Sequence, residues 1–197
     1  NDGLGGTKSV DDVSDALRAV LYTGYKFSDK VVMNSEIEFE HAGGSDVWLE
    51  FLTLDYFLRE DIGLRGGLLL IPMGFVNEIH EPTFYFGAER PEVELRIIPS
   101  TWRENGAGIF GQISERLAYR FYAVNGFKAS GYAVDGLRGG RQKGAKALSN
   151  DWAFVGRVDL DVASGLLVGS SVYAGNSGQE QTGAGGDLPD ALTVLWE

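Results

Sequence analysis

The sequence predicts an all-β protein built as an antiparallel, up-and-down transmembrane β-barrel, with about eight to nine strands in its 197 residues. Three observations lead there. Segments with a period of two recur from Leu17 to Trp196, apolar on one side and polar or charged on the other, the signal of strands between unlike environments. Every odd-numbered connection is short and the later even-numbered ones are long, which in an up-and-down sheet gathers every long loop on one rim, as in outer-membrane barrels. The composition combines 28 Gly with only 5 Pro and 44% hydrophobic residues, which suits sheets joined by tight turns.

The elements follow in order. Residues 1–16 are polar, and VDDVSDAL reads as at most one helical turn. From Leu17, Leu21, Thr23, Tyr25 and Phe27 share a face opposite Arg18, Tyr22 and Lys26. After Ser28-Asp29-Lys30, Val31, Met33, Ser35, Ile37 and Phe39 alternate with Asn34, Glu36, Glu38 and Glu40. Ala42-Gly43-Gly44 turns the chain. In the next run, Val47 to Leu58, Glu50 and Asp55 have opposite parity, so a bulge or a rim position is needed to reconcile them. Arg59-Glu60-Asp61 leads into a strand from Ile62 to Pro72. A long loop spans 73–106, with a Gly-rich strand resuming at Ala107. Its aromatics Phe75, Phe84, Tyr85, Phe86 and Trp102 supply enough apolar area to order it, and residues from Phe84 to Trp102 are expected to pack on the inner wall. A hairpin turns at Ser114-Glu115-Arg116, setting Tyr119 and Phe121 against Arg120 and Tyr122. A second loop, rich in Gly and cations, covers 126–150. In the strand from Asp151, Trp152, Phe154, Val158 and Leu160 alternate with Arg157, Asp159 and Asp161. Leu166 to Ala174 follows Ala163-Ser164, then a third loop, 176–190, and a strand from Ala191. The whole of 17–197 reads as one barrel domain.

Composition also excludes function classes. The formal net charge is −11, which argues against a broad nucleic-acid surface. There is no Cys, hence no disulfide or thiolate metal site. The opening NDGLGGTKSV lacks the apolar core of a signal peptide. The longest charge-free stretch, Val162 to Gln179, is interrupted by Gly165, Gly169, Gly175 and Gly178 and makes a poor membrane helix; a barrel needs none.

Particular runs resemble bacterial outer-membrane porins, in particular the family of phosphate-selective porins O and P and its relatives. They are Gly66-Gly67-Leu68-Leu69-Leu70-Ile71-Pro72-Met73-Gly74, Asn77-Glu78, His80-Glu81-Pro82, Glu89-Arg90-Pro91 and Ile98-Pro99-Ser100-Thr101-Trp102-Arg103-Glu104-Asn105-Gly106. Asn125-Gly126 and Gly136-Leu137-Arg138-Gly139-Gly140-Arg141 fit as well. The resemblance covers roughly Tyr25 to Gly178. It implies a porin of the Gram-negative outer membrane, in contact with lipid and lipopolysaccharide, passing small hydrophilic solutes and open to assembly as a homotrimer. It implies no nucleic-acid partner.

The expected function is passive diffusion through a water-filled lumen, with no chemistry and no cofactor or metal. Glu36, Glu38, Arg90, Arg96, Arg103, Glu104, Arg157 and Asp159 are the pore-lining or constriction candidates, because charges midway along strands or on an inward loop set which solutes pass. Within the loop, Arg90, Arg96 and Arg103 interleave with Glu89, Glu92, Glu94 and Glu104 and are expected mainly to pair with one another. Arg138, Arg141, Lys143 and Lys146 form a loop cation cluster, either drawing anions to the mouth or simply solvated. His80, between Glu78 and Glu81, reads first as a loop residue hydrogen-bonded to nearby backbone, with a metal or acid–base role as the sharper alternative. The competing functions are a soluble or periplasmic β-sandwich that binds carbohydrate and a barrel hydrolase, although no serine shows a nucleophile elbow. The eight strands and the start of a ninth are not expected to close by themselves. The alternative is a small closed barrel in which residues 18–27 pair with 166–174.

Overall fold

A computed structural model of the chain describes residues 14–41, 47–87, 89–134, 136–183, 186–187 and 191–197. Its main element is a nine-stranded antiparallel sheet in the order β1-β2-β3-β4-β5-β6-β7-β8-β11. The strands are β1 (Arg18–Lys26), β2 (Val31–Glu40), β3 (Val47–Arg59), β4 (Ile62–Leu70), β5 (Arg103–Ser114), β6 (Leu117–Asn125), β7 (Trp152–Ala163), β8 (Leu166–Asn176) and β11 (Leu192–Trp196). A two-residue ribbon, β9 (Thr182–Gly183) with β10 (Gly186–Asp187), lies in the loop before β11. Each strand of the main sheet pairs with its neighbour in sequence, so the short turns fall at one end and the long connections at the other.

The sheet is not closed into a barrel. β1 pairs with β2, while β8 lies between β7 and β11. The small closed barrel, which needed β1 against β8, is therefore absent. Among the described residues both outer edges, β1 and β11, have no further strand beside them and offer a template for more.

Three element boundaries differ from the sequence reading. β5 starts at Arg103 rather than Ala107, pairing Arg103–Gly106 with Leu70–Gly67, so the loop runs over 71–102. The charged start of this strand is tolerated because Arg103 meets Glu50 across the sheet at 2.8 Å. β4 ends at Leu70, before Pro72, which has no N–H for a ladder. The helical turn expected near VDDVSDAL lies partly outside the described residues, and 14–17 is not helical. The conflict between Glu50 and Asp55 is resolved by a bulge: Glu36 pairs with Phe51 and Ile37 with Leu49, leaving Glu50 as the extra residue.

The two sheet faces are unlike. One carries Leu21, Tyr25, Leu49, Leu52, Leu54, Leu64, Phe121, Trp152, Phe154, Val158, Leu160, Val168, Val172, Val194 and Trp196, all exposed. Phe154 is 68% exposed and Trp196 80%, values far from those of a soluble core. The other face carries Arg18, Glu36, Glu38, Glu50, Asp55, Arg65, Arg120, Arg157 and Asp159, and the long loops lie over it. Trp152, Phe154, Val158 and Leu160 thus share the exposed apolar side, opposite Arg157 and Asp159, as their alternation requires.

Under the loops at the rim sits the hydrophobic core: Leu69, Ile71, Met73, Ile98, Trp102, Tyr122, Val124, Phe127, Ala153, Val155 and Tyr173. Trp102 stacks on Phe127 with ring centres 4.6 Å apart and meets Tyr173 at 4.9 Å. Such ring pairs add roughly 0.5–1.5 kcal/mol each beyond burial. The loop-bearing face is therefore apolar at the rim over β4–β8, and charged farther along those strands and over β1–β3.

Candidate functional site: the charged face beneath the 71–102 loop

The loop base is fixed by Asn77, which is fully buried. Its amide nitrogen donates to Ile71 O at 2.7 Å and Trp102 O at 2.8 Å, and its oxygen accepts the Trp102 N–H at 2.6 Å. One side chain thus satisfies both ends of the loop where the β4–β5 ladder opens. Gly74 is required here: its φ is +76°, and a Cβ would lie 2.2 Å from Glu94 Oε2. Glu94 caps the turn by accepting the N–H groups of Phe75 and Val76. Burial pushes its carboxyl above the usual range, against the pull of those two N–H groups, and nearby Glu197 pushes the same way.

From this base the segment 74–81 crosses the charged face. Arg157 donates to Gly74 O at 2.8 Å. Glu78 pairs with Arg120 on β6 at 3.1 Å, and burial raises the Glu78 pKa. His80 Nε2 lies 3.2 Å from Glu36 on β2, and Glu81 lies 3.7 Å from Arg18 on β1. The loop therefore reaches strands from β7 to β1. The expectation that Phe84 to Trp102 would press on the wall holds only at its end. Trp102 is buried, but Phe84 and Phe86 are exposed, 54% and 86%, and it is the polar segment 74–81 that makes the wall contacts. Charged partners on the wall select polar loop residues, which the aromatics are not.

Most charges on this face are paired. Arg65 forks onto Asp55 with two contacts of 2.7 Å. Arg157 and Arg120 share Asp159 at 2.9 and 2.7 Å. Arg18 pairs with Glu38. Arg103 and Glu50, both buried, pair at 2.8 Å. Bidentate and charge-assisted contacts of this kind are among the stronger polar interactions and hold side chains in one geometry.

The candidates from sequence separate into groups. Glu36, Glu38, Arg103, Arg157 and Asp159 lie together on the charged face. Glu104 is buried at the rim, accepting the Gln142 N–H at 2.8 Å. Within the loop, Arg96 pairs with Glu92 as expected, but among the described residues the other charged groups take different partners. Arg103 takes Glu50, Glu94 takes backbone amides, and Arg90 reaches the Tyr85 hydroxyl and Ser100 O.

The cation cluster divides too. Arg138 donates to Ser100 O at 2.5 Å, and Arg141 to Pro99 O at 2.8 Å and Thr101 O at 2.6 Å. They tie the second loop to the first instead of standing in solvent. Burial, with Arg138 and Arg103 nearby, lowers the Arg141 pKa to about 9, which leaves it a cation at neutral pH. Lys143 lies 5.1 Å from the centre of the Trp48 ring, a cation–π contact. Lys146 is a loop residue with φ of +52°. Arg18, Glu38, Glu50, Arg90, Arg103, Arg138, Arg141 and Lys143 contribute to the lining of a cleft of about 240 Å³. Sequence reasoning missed Glu50, Asp55, Arg65 and Asn77. Arg65 opposes Leu64 in parity, a signal present in the chain, but the roles of Glu50 and Asn77 depend on partners 53 and 25 residues away.

Comparison with known proteins adds one relative. The chain is 45% identical over 170 residues to an uncharacterised protein of Aquifex aeolicus (strain VF5), a match covering 82% of this chain and 39% of that protein. The chain thus spans well under half the length of the relative it matches. No family model matches the chain, and no solved structure does.

Proposed function

We propose that this sheet is part of the wall of an outer-membrane β-barrel that acts as a passive diffusion pore for small hydrophilic solutes. The observation that carries the reading is the contrast between the two faces. Soluble monomers rarely expose contiguous apolar patches beyond a few hundred Å². Here exposed apolar side chains run from β1 to β11, while the opposite face holds ion pairs and loops. Lipid on one side and water on the other suit both faces. The open edges at β1 and β11 would be completed by strands outside these residues, which fits the greater length of the Aquifex relative. In hydrocarbon an unpaired edge costs several kcal/mol per backbone group, so closure is obligatory.

A water-filled lumen removes the cost of dehydrating a polar solute, and the charges along the wall set what passes. Because the wall arginines are matched by carboxylates, the pore discriminates weakly by charge, and the phosphate preference of the porins this sequence resembles is not expected. The 71–102 loop narrows the passage along β1 to β7. No chemical step is involved. A periplasmic sandwich binding carbohydrate would need a second layer over the apolar face. A hydrolase would need a base for a serine, and the His80 ring is directed to Glu36.

Fractionation of the full-length protein tests the proposal. A porin remains with the membranes and requires detergent for release. Release by osmotic shock would support the sandwich and end the pore reading.

A further inference from the structure

Glu36, His80 and Glu81 come together where the loop meets the wall, and their ligand atoms all lie within 4.8 Å of one another. Glu36 is on β2, and His80 and Glu81 are in the loop, so the group exists only when loop and sheet are docked. His80 is 5% exposed and Glu36 8%. One ring nitrogen of His80, Nε2, faces Glu36 at 3.2 Å, while Nδ1 is buried with no hydrogen-bond partner among the described residues. Nδ1 lies on the ring edge away from Glu36, so Nε2 is the nitrogen placed to ligate, and Nδ1 is where a water would serve as the outer partner that metal-ligating imidazoles use.

We propose that Glu36, His80 and Glu81 bind a divalent first-row metal ion of the Zn2+ type, which staples the loop to the sheet. The donor set decides the class. An imidazole with two carboxylates suits Zn2+ and its neighbours, whereas Ca2+ and Mg2+ prefer oxygen donors throughout. Zn2+ takes nitrogen and oxygen ligands at roughly 2.0–2.2 Å, which sets its ligands about 3.4 Å apart in a tetrahedron. Closing the present spread requires side-chain shifts of about 1 Å, within the reach of two glutamates. Three protein ligands leave the fourth position for water.

The charge around the site is consistent with this. Of the site's two carboxylates, Glu81 lies 3.7 Å from Arg18, which also pairs with Glu38 and lies 4.0 Å from Glu40. An arriving cation displaces Arg18 from Glu81, and Glu38 retains it. The site is independent of the pore reading, since it requires only that 74–81 dock on β2.

The test uses the full-length protein in detergent, stripped with chelator and titrated calorimetrically with Zn2+. The expected result is one Zn2+ per chain, with affinity at least ~10-fold weaker in His80→Gln and in Glu36→Gln. His41→Gln, which alters the one other histidine, should bind as the unsubstituted protein does. Limited proteolysis should show residues 74–98 protected by Zn2+ in the unsubstituted protein. Should His80→Gln fail to fold, X-ray absorption of the Zn2+-loaded unsubstituted protein gives the answer directly: one imidazole with oxygen ligands supports the site. No stoichiometric binding, binding unchanged in a folded His80→Gln, or a spectrum without imidazole would overturn the proposal and leave His80 and Glu36 as a simple hydrogen-bonded pair.

Discussion

The Arg157 guanidinium on β7 donates to the carbonyl of Gly74 at 2.8 Å, joining residues 83 positions apart. It also holds Asp159 and Glu197. One side chain thus ties the wall to the point where the loop leaves its base. Arg157→Met should release the start of the loop. A charge-assisted hydrogen bond is worth roughly 1.5–3 kcal/mol. Hydrogen exchange should therefore show faster opening of 74–81, by about one to two orders of magnitude, with the β6–β7 ladder unchanged. Equal protection in variant and parent would show that Gly74 is held by other contacts.

Val158 lies on the exposed apolar face and Asp161 alternates with it along β7. If the apolar face meets lipid, Val158→Arg should hinder insertion by on the order of 2–4 kcal/mol near the bilayer midplane. Asp161→Arg, on the charged side, should insert nearly as well as the parent. The check is the folded, membrane-integrated fraction of each variant in reconstituted vesicles. Similar yields for the two would contradict the assignment of faces.

Glu50 and Arg103 are both buried and pair at 2.8 Å, spanning the strand between them. Glu50→Gln leaves the guanidinium without its counter-charge, which in a buried pair costs about 3–5 kcal/mol. The thermal unfolding midpoint should fall clearly. Arg103→Met combined with Glu50→Leu, which removes both charges, should recover much of the loss.

Glu94 links loop docking to pH. Burial raises its folded pKa above the unfolded value. The contribution is therefore fully present below the ordinary glutamate pKa of about 4.3 and is lost as pH rises through the raised value. Protection of the Phe75 and Val76 amides, corrected for intrinsic exchange, should decline as pH rises from about 4.3 through the raised Glu94 pKa. Glu94→Gln should flatten the dependence. A loop that tightens with rising pH would reverse the sign and contradict this account.

Much of the sheet was legible because parity is a local property. The alternation in Val31–Glu40 and Trp152–Ala163 assigns each side chain a face before any contact is known. The clash between Glu50 and Asp55 called for a bulge or a rim position, and the β2–β3 register contains the bulge. What was not legible depends on distant partners. Arg103-Glu104-Asn105-Gly106 reads as the end of the long loop until Glu50 neutralises Arg103. His80 reads as a loop histidine until the fold brings Glu36 to it across 44 positions. Arg138 and Arg141 read as cations that draw anions to the mouth or stand in solvent, because nothing in the local sequence shows that the carbonyls of residues 99–101 await them.

The central claim, that the charged face lines water and the apolar face meets lipid in a pore, is tested most directly by single-channel recording of the full-length protein in planar bilayers. The account predicts discrete, ohmic conductance steps with weak preference between small cations and anions, and larger steps when residues 75–98 are replaced by a short Gly-Ser linker. Correctly folded protein that inserts without conducting, or that never enters the bilayer, would contradict it.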